Sequence, residues 1–178
     1  MSSAGCWPRR RVADLDALLG ELDASRDAFL DALADVDADL VTVPGVVGDW
    51  SVRDLVLHVA AWDAHGADAL ALAASGRGSA FAYSRADTDA MNERFVAEGR
   101  AVSPREALAR EEAAFDAFRG AIAELAPALL GERLGNGDAV EAVIRYDGAD
   151  HYAEHAEHLR AWFAGDDEAI EDDDRDAD

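Results

Sequence analysis

Apolar residues recur at intervals of three and four along four long stretches of this chain, the spacing that lines one face of a helix. Leu15, Leu18, Leu19, Leu22, Phe29, Leu33 and Val36 form the first stripe and predict a helix from about Val12 to Val36. The second helix begins after Ser51, an N-cap residue with Asp54 three positions on, and runs to about Ala74. Ser103 caps the third, with Pro104 at the first helical position and Glu106 completing a capping box. Leu108, Phe115, Phe118, Ile122 and Leu125 are its stripe. The fourth helix covers about Asp138 to Phe163 and stops at Gly165.

Between the second and third helices lie a glycine- and serine-rich connector, Ser75 to Ser79, and a shorter helix from Asp87 to Glu98. Val41 to Gly48, with Pro44 and two glycines, reads as a loop. No alternating strand pattern of useful length appears. The expected fold is all-α, an up-down four-helix bundle with a helical insertion between helices two and three. Residues 1–11 are expected to be a flexible end, 12–165 the bundle, and 166–178 a disordered acidic tail.

Composition sharpens this picture. The chain has 178 residues, enough for one substantial core, and a single cysteine, Cys6, which excludes an internal disulfide framework. Met1 to Arg11 lacks the apolar stretch of a secretory signal, and no run of ~18 apolar residues predicts a membrane span. A cytoplasmic protein is expected. The formal net charge is −22, and every basic residue is arginine. Such a surface repels phosphate backbones and anionic lipids, so neither nucleic acid nor membrane is an expected partner. Self-repulsion at this density is largely screened at ~1 M salt, where the Debye length is ~3 Å. A salt-rich cytoplasm fits that balance better than the base composition of a GC-rich genome alone.

The candidate chemistry lies in the histidines. Of the five, three fall within Asp150-His151-Tyr152-Ala153-Glu154-His155-Ala156-Glu157-His158, and His58 sits in the apolar start of helix two. On a helix His151, His155 and His158 fall on the face shared by Val140, Ile144 and Trp162, while His58 shares one with Leu55, Trp62 and Leu72. A lone inward histidine is explained by a carbonyl or carboxylate partner. An i, i+4 pair with a third imidazole from another helix is better explained by a shared divalent metal with one open position. His65 and His158 compete as third ligands or pocket groups. Zinc is the first choice, with nickel and iron as alternatives. Asp54 and Asp147, each one turn before a histidine, are candidates to orient those ligands.

The stretch Gly48-Asp49-Trp50-Ser51-Val52-Arg53-Asp54-Leu55-Val56-Leu57-His58-Val59-Ala60-Ala61-Trp62-Asp63 resembles the second helix of the DinB-like (YfiT-like) metalloenzyme superfamily. Met91 to Phe95 followed by Ser103 to Leu108, and the closing segment His151 to Leu159, are also similar to it. The resemblance covers about Val12 to Phe163. It implies a four-helix bundle with metal ligands at His58, His151 and His155, and it demotes His158, which falls where that helix varies. It further implies a small-molecule substrate, pairing into a homodimer, and thiol-dependent transfer or hydrolysis, since relatives use bacillithiol, mycothiol or glutathione. The Trp-Ser-Val-x-Asp and His-x-x-x-Trp-acid signatures also resemble a ClbS/DfsB-like self-protection subgroup, which implies the alternative of a non-catalytic, metal-stabilised binding protein. No serine or cysteine nucleophile is evident, Cys6 lying in the N-terminal end.

Overall fold

A computed structural model of the chain describes residues 15–173. The protein is helical nearly throughout: α1 (Leu15–Ala34), α2 (Val52–Ala74), α3 (Thr88–Gly99), α4 (Pro104–Glu124), a short α5 (Val140–Ile144) and α6 (Asp150–Asp173). α1, α2, α4 and α6 are the bundle, with α2 lying along α4 and α1 along α6. α3 is the expected insertion and rests on α2. The predicted stripes turn inward. Leu18, Leu22 and Phe29 from α1, Leu55 and Leu70 from α2, Phe118 and Ile122 from α4, and Leu159 from α6 are all buried in one core.

Both capping signals act. Ser51 Oγ accepts from the Asp54 amide, and Asp54 returns the bond to the Ser51 backbone N–H at 3.0 Å, a complete box. At α4, Ser103 accepts from the Glu106 amide at 3.2 Å, but Glu106 turns its carboxylate to Arg110 instead of closing the box. A solvent-exposed arginine one turn ahead is the stronger partner for an ionised side chain.

Three boundaries differ from the expectations. The supposed loop Val41 to Gly48 contains strand β1 (Pro44–Val47), which pairs antiparallel with β2 (Trp50–Ser51). Gly48, at φ 55°, supplies the left-handed turn residue between them. The expected fourth helix is not continuous, because Arg145–Ala149 forms a π-helical turn, with Gly148 at φ −113° and ψ −105°, between α5 and α6. Nor does Gly165 end α6, which continues to Asp173. Glycine in a helix interior costs only ~1 kcal/mol relative to alanine and forces no stop. Residues 1–11, expected to be a flexible end and containing Cys6, and the last five residues of the acidic tail lie outside the described residues. No helix among the described residues is long and apolar enough to cross a membrane.

Candidate metal centre

The β1–β2 hairpin delivers Trp50 against the start of α2, and the π-turn sets the angle at which α6 leaves α5. Between them, His58, His151 and His155 converge. Their ligand nitrogens all lie within 4.8 Å of one another. His58 Nε2 is 2.8 Å from His151 Nε2, which is 2.9 Å from His155 Nε2. His58 and His155 are buried.

Burial makes all three weak bases. It pushes His58 and His151 down to about 3 and His155 down to about 2, each imidazole further disfavouring charge on its neighbour. At neutral pH they are uncharged, the form that ligates metal. Direct hydrogen bonding cannot satisfy the cluster. An imidazole nitrogen carries either one proton or one lone pair, so His151 Nε2 serves one of its two close neighbours and opposes the other. Three inward lone pairs fit a divalent cation, so the donor set passes this chemical test.

His158 does not enter the cluster. Its Nδ1 lies 3.1 Å from Nδ1 of His155, where it holds the outer edge of that ring. Aromatic rings wall the site. The Trp50 ring is centred 4.8 Å from that of His58, and the Trp62 indole lies 6.4 Å from His58 and 6.3 Å from His151. Trp62 is fixed by its Nε1–H, which donates to Asn92 Oδ1 of α3 at 2.9 Å. A cleft of about 780 Å³ shares Trp50 with the site and is bordered by Arg53, Glu93 and Arg100.

Neither proposed orienting carboxylate serves a triad histidine. Asp54 is consumed by Ser51 and by Arg53, whose Nη2–H donates to it at 2.9 Å. Asp147, carried in the π-turn, instead meets Nδ1 of His65 at 2.9 Å. His58 Nδ1 and His151 Nδ1 have no protein partner among the described residues.

A buried polar cluster beside the site has no counterpart in the sequence reading. Arg26 of α1 makes a bidentate pair with Glu111 of α4, at 2.8 and 2.9 Å. Tyr152 of α6 lies 2.7 Å from Glu111 and 2.6 Å from Asp63 of α2. One residue from each bundle helix thus meets in the core. A hydroxyl has one proton and cannot donate to two ionised carboxylates. Burial, reinforced by Glu111 and Asp147, pushes Asp63 up to about 8, so Asp63 holds a proton at neutral pH and donates to Tyr152, which donates to Glu111. The available signal was three charged residues falling at apolar positions of their helical stripes.

A family described as the mycothiol maleylpyruvate isomerase N-terminal domain matches residues 22–150. The chain belongs to this family. It is thereby a DinB-like protein. The match ends one residue before His151, so the closing histidine pair lies beyond it. No curated protein matches the chain. Among solved structures, an uncharacterised protein from Escherichia coli UTI89 superposes with a TM-score of 0.74 at 18% identity, over 86% of this chain and 94% of that one. The colibactin self-resistance protein ClbS, solved in complex with double-stranded DNA, superposes at 0.72 with 16% identity, over 83% and 93%. Both likenesses concern the fold.

The ClbS complex corrects the expectation of no nucleic-acid partner, because a bundle of this shape has been seen on DNA. The reason the expectation failed is physical. Net charge sums the whole surface, whereas a partner feels the potential within about a Debye length, ~10 Å at 0.1 M salt.

Proposed function

We propose that this DinB-like protein is a metal-dependent enzyme in which His58, His151 and His155 hold one divalent cation, zinc first among the choices, for thiol-dependent transfer to, or hydrolysis of, a small molecule. The observation that supports this reading is the meeting of three neutral Nε2 atoms that no pattern of direct hydrogen bonds satisfies. When bound, the cation supplies a Lewis acid with a position open to a reactant.

The chain's own residues prepare that position. His158 steadies the His155 ring. Trp50 and Trp62 border the imidazoles and present flat apolar faces to a substrate. Asn92 ties the Trp62 indole to α3, so displacement of that inserted helix is the route by which the wall would open. The test is metal analysis of protein loaded separately with zinc, nickel and iron, followed by conjugation assays with mycothiol, bacillithiol and glutathione. One equivalent of metal with thiol-dependent turnover is expected.

The self-resistance role of ClbS supports a second reading, a non-catalytic binding protein on the same bundle. One equivalent of metal held by four protein groups, with no turnover of any thiol acceptor, would favour it.

A further inference from the structure

Two turns along α2 from His58, a second histidine is arranged for chemistry. Seven residues at 1.5 Å each put His65 about 10 Å further along the helix. Its Nδ1 meets Asp147 Oδ2 at 2.9 Å, and Asp147 is 2% exposed. The π-turn Arg145–Ala149 carries that carboxylate to His65 and away from His151. Such turns often mark functional positions in helices.

An ionised Asp147 accepts the Nδ1–H and leaves the lone pair on Nε2. No group among the described residues takes Nε2, and the His65 side chain keeps 15% exposure. Phe81, Tyr83 and Trp62 stand around the ring, each centred 5.0 Å away. The Trp62 indole that borders His65 also borders His58 and His151. A purely structural tie would account for the buried Asp147 and its bond to Nδ1. It would not account for an Nε2 without a partner among the described residues, on a side chain that keeps 15% exposure, against the indole that walls the triad.

We infer that His65 is a catalytic proton acceptor, positioned by Asp147, for a protic nucleophile (a water or a thiol) reacting at the three-histidine site. This rests on the metal-dependent reading above. In the step, the nucleophile's O–H or S–H bond breaks, its proton forms Nε2–H, and the electron pair stays on the attacking oxygen or sulfur. The imidazolium then passes its proton to the departing group or to solvent. Asp147 holds Nδ1–H throughout and keeps the imidazole in the tautomer that accepts at Nε2.

The test uses zinc-loaded full-length protein with 4-nitrophenyl acetate, whose ester bond breaks as the deprotonated water forms the new bond to the acetyl carbon. His65→Gln should keep one equivalent of zinc and lose about 100-fold or more of the hydrolysis rate. Asp147→Asn should lose less, and ¹⁵N spectra of the histidines should show His65 moving from the Nδ1–H to the Nε2–H tautomer. The wild-type tautomer is read without any substitution, so a variant that fails to fold leaves the proposal open to refutation. A wild-type His65 carrying its proton on Nε2, a rate unchanged in His65→Gln, or wild-type protein no faster than free imidazole each overturns it. Zinc absent from wild-type protein overturns the metal reading as well, whereas zinc retained with an unchanged rate overturns this inference alone.

Discussion

Nε2 of His58 and Nε2 of His151 stand 2.8 Å apart although 93 positions separate them in the chain. They meet because α2 and α6 are both bundle helices and each turns its histidine inward. If the cluster is a metal site, removing one imidazole leaves two, which seldom hold zinc against buffer. His58→Ala and His155→Ala should therefore lose stoichiometric zinc, while His158→Ala should keep most of it, since His158 meets His155 at Nδ1, on the far side of the ring from the cluster. Metal content of the variants, measured side by side, decides. Full occupancy in His155→Ala with loss in His158→Ala would make His158, not His155, the ligand.

The core polar cluster makes a prediction about pH. An aspartate in the unfolded chain titrates near 3.8, whereas burial pushes Asp63 up to about 8 in the folded protein. Between those values the folded state holds one more proton, so this group's contribution to stability falls as pH rises through that window. Asp63→Asn removes the titration. Urea midpoints at about pH 6 and about pH 8.5 should therefore show wild-type protein losing stability relative to the variant. Parallel trends in the two proteins would mean Asp63 is ionised throughout.

Glu111 occupies the opposite role in that cluster. It is the ionised member, buried, and paired with the Arg26 guanidinium. Glu111→Ala leaves Arg26 without its carboxylate and Tyr152 without an ionised acceptor, and should cost about 3–5 kcal/mol of unfolding free energy. Denaturant titration checks this, and a loss below about 1 kcal/mol would place the pair among weakly contributing surface bridges.

What the sequence disclosed follows from how local each signal is. Helix stripes and caps are written within a turn or two, so α2 ends at Ala74 as read and Ser51 caps it as read. Counting the inward face of each helix brought the histidines together but left His65 and His158 competing with the others. It was the resemblance to DinB-like proteins that singled out His58, His151 and His155, the three whose nitrogens lie within 4.8 Å of one another. The partners of the carboxylates were not. Asp147 points at His65 because Gly148 breaks the helical rotation in the π-turn, and counting at a constant 100° per residue carries no trace of that break. The Arg26–Glu111–Tyr152–Asp63 cluster needs all four helices in register, which periodicity within one helix does not encode. The hairpin escaped because a four-residue strand facing a two-residue one is too short to alternate.

Gly66 reports on the crossing of α2 and α4. A Cβ there would lie 2.7 and 2.8 Å from two ring carbons of Phe118, a side chain held fast in the core. Alanine is worth ~1 kcal/mol over glycine within a helix. Overpacking of a dense core typically costs about 1–3 kcal/mol, so the steric term should win. Gly66→Ala is expected to melt below wild type, and a higher melting temperature would mean that Phe118 has room to withdraw.

The final prediction concerns salt. A net charge of −22 with no lysine places many like charges on one small surface, and their mutual repulsion opposes the compact state. The few cross-helix surface pairs, such as Arg119 with Asp23 at 2.7 Å, are too exposed to offset it. Raising KCl from dilute buffer to ~1 M shortens the Debye length from tens of ångströms to ~3 Å. That screening weakens both the sparse attractions and the abundant repulsions, and the repulsions dominate by number. The melting temperature should therefore rise substantially between the two conditions. The Arg26–Glu111 pair, with Glu111 buried and Arg26 only partly exposed, is screened less than the surface pairs, so the gain should persist in Glu111→Gln. A flat or falling trend in the wild-type protein would remove the case for a salt-adapted surface.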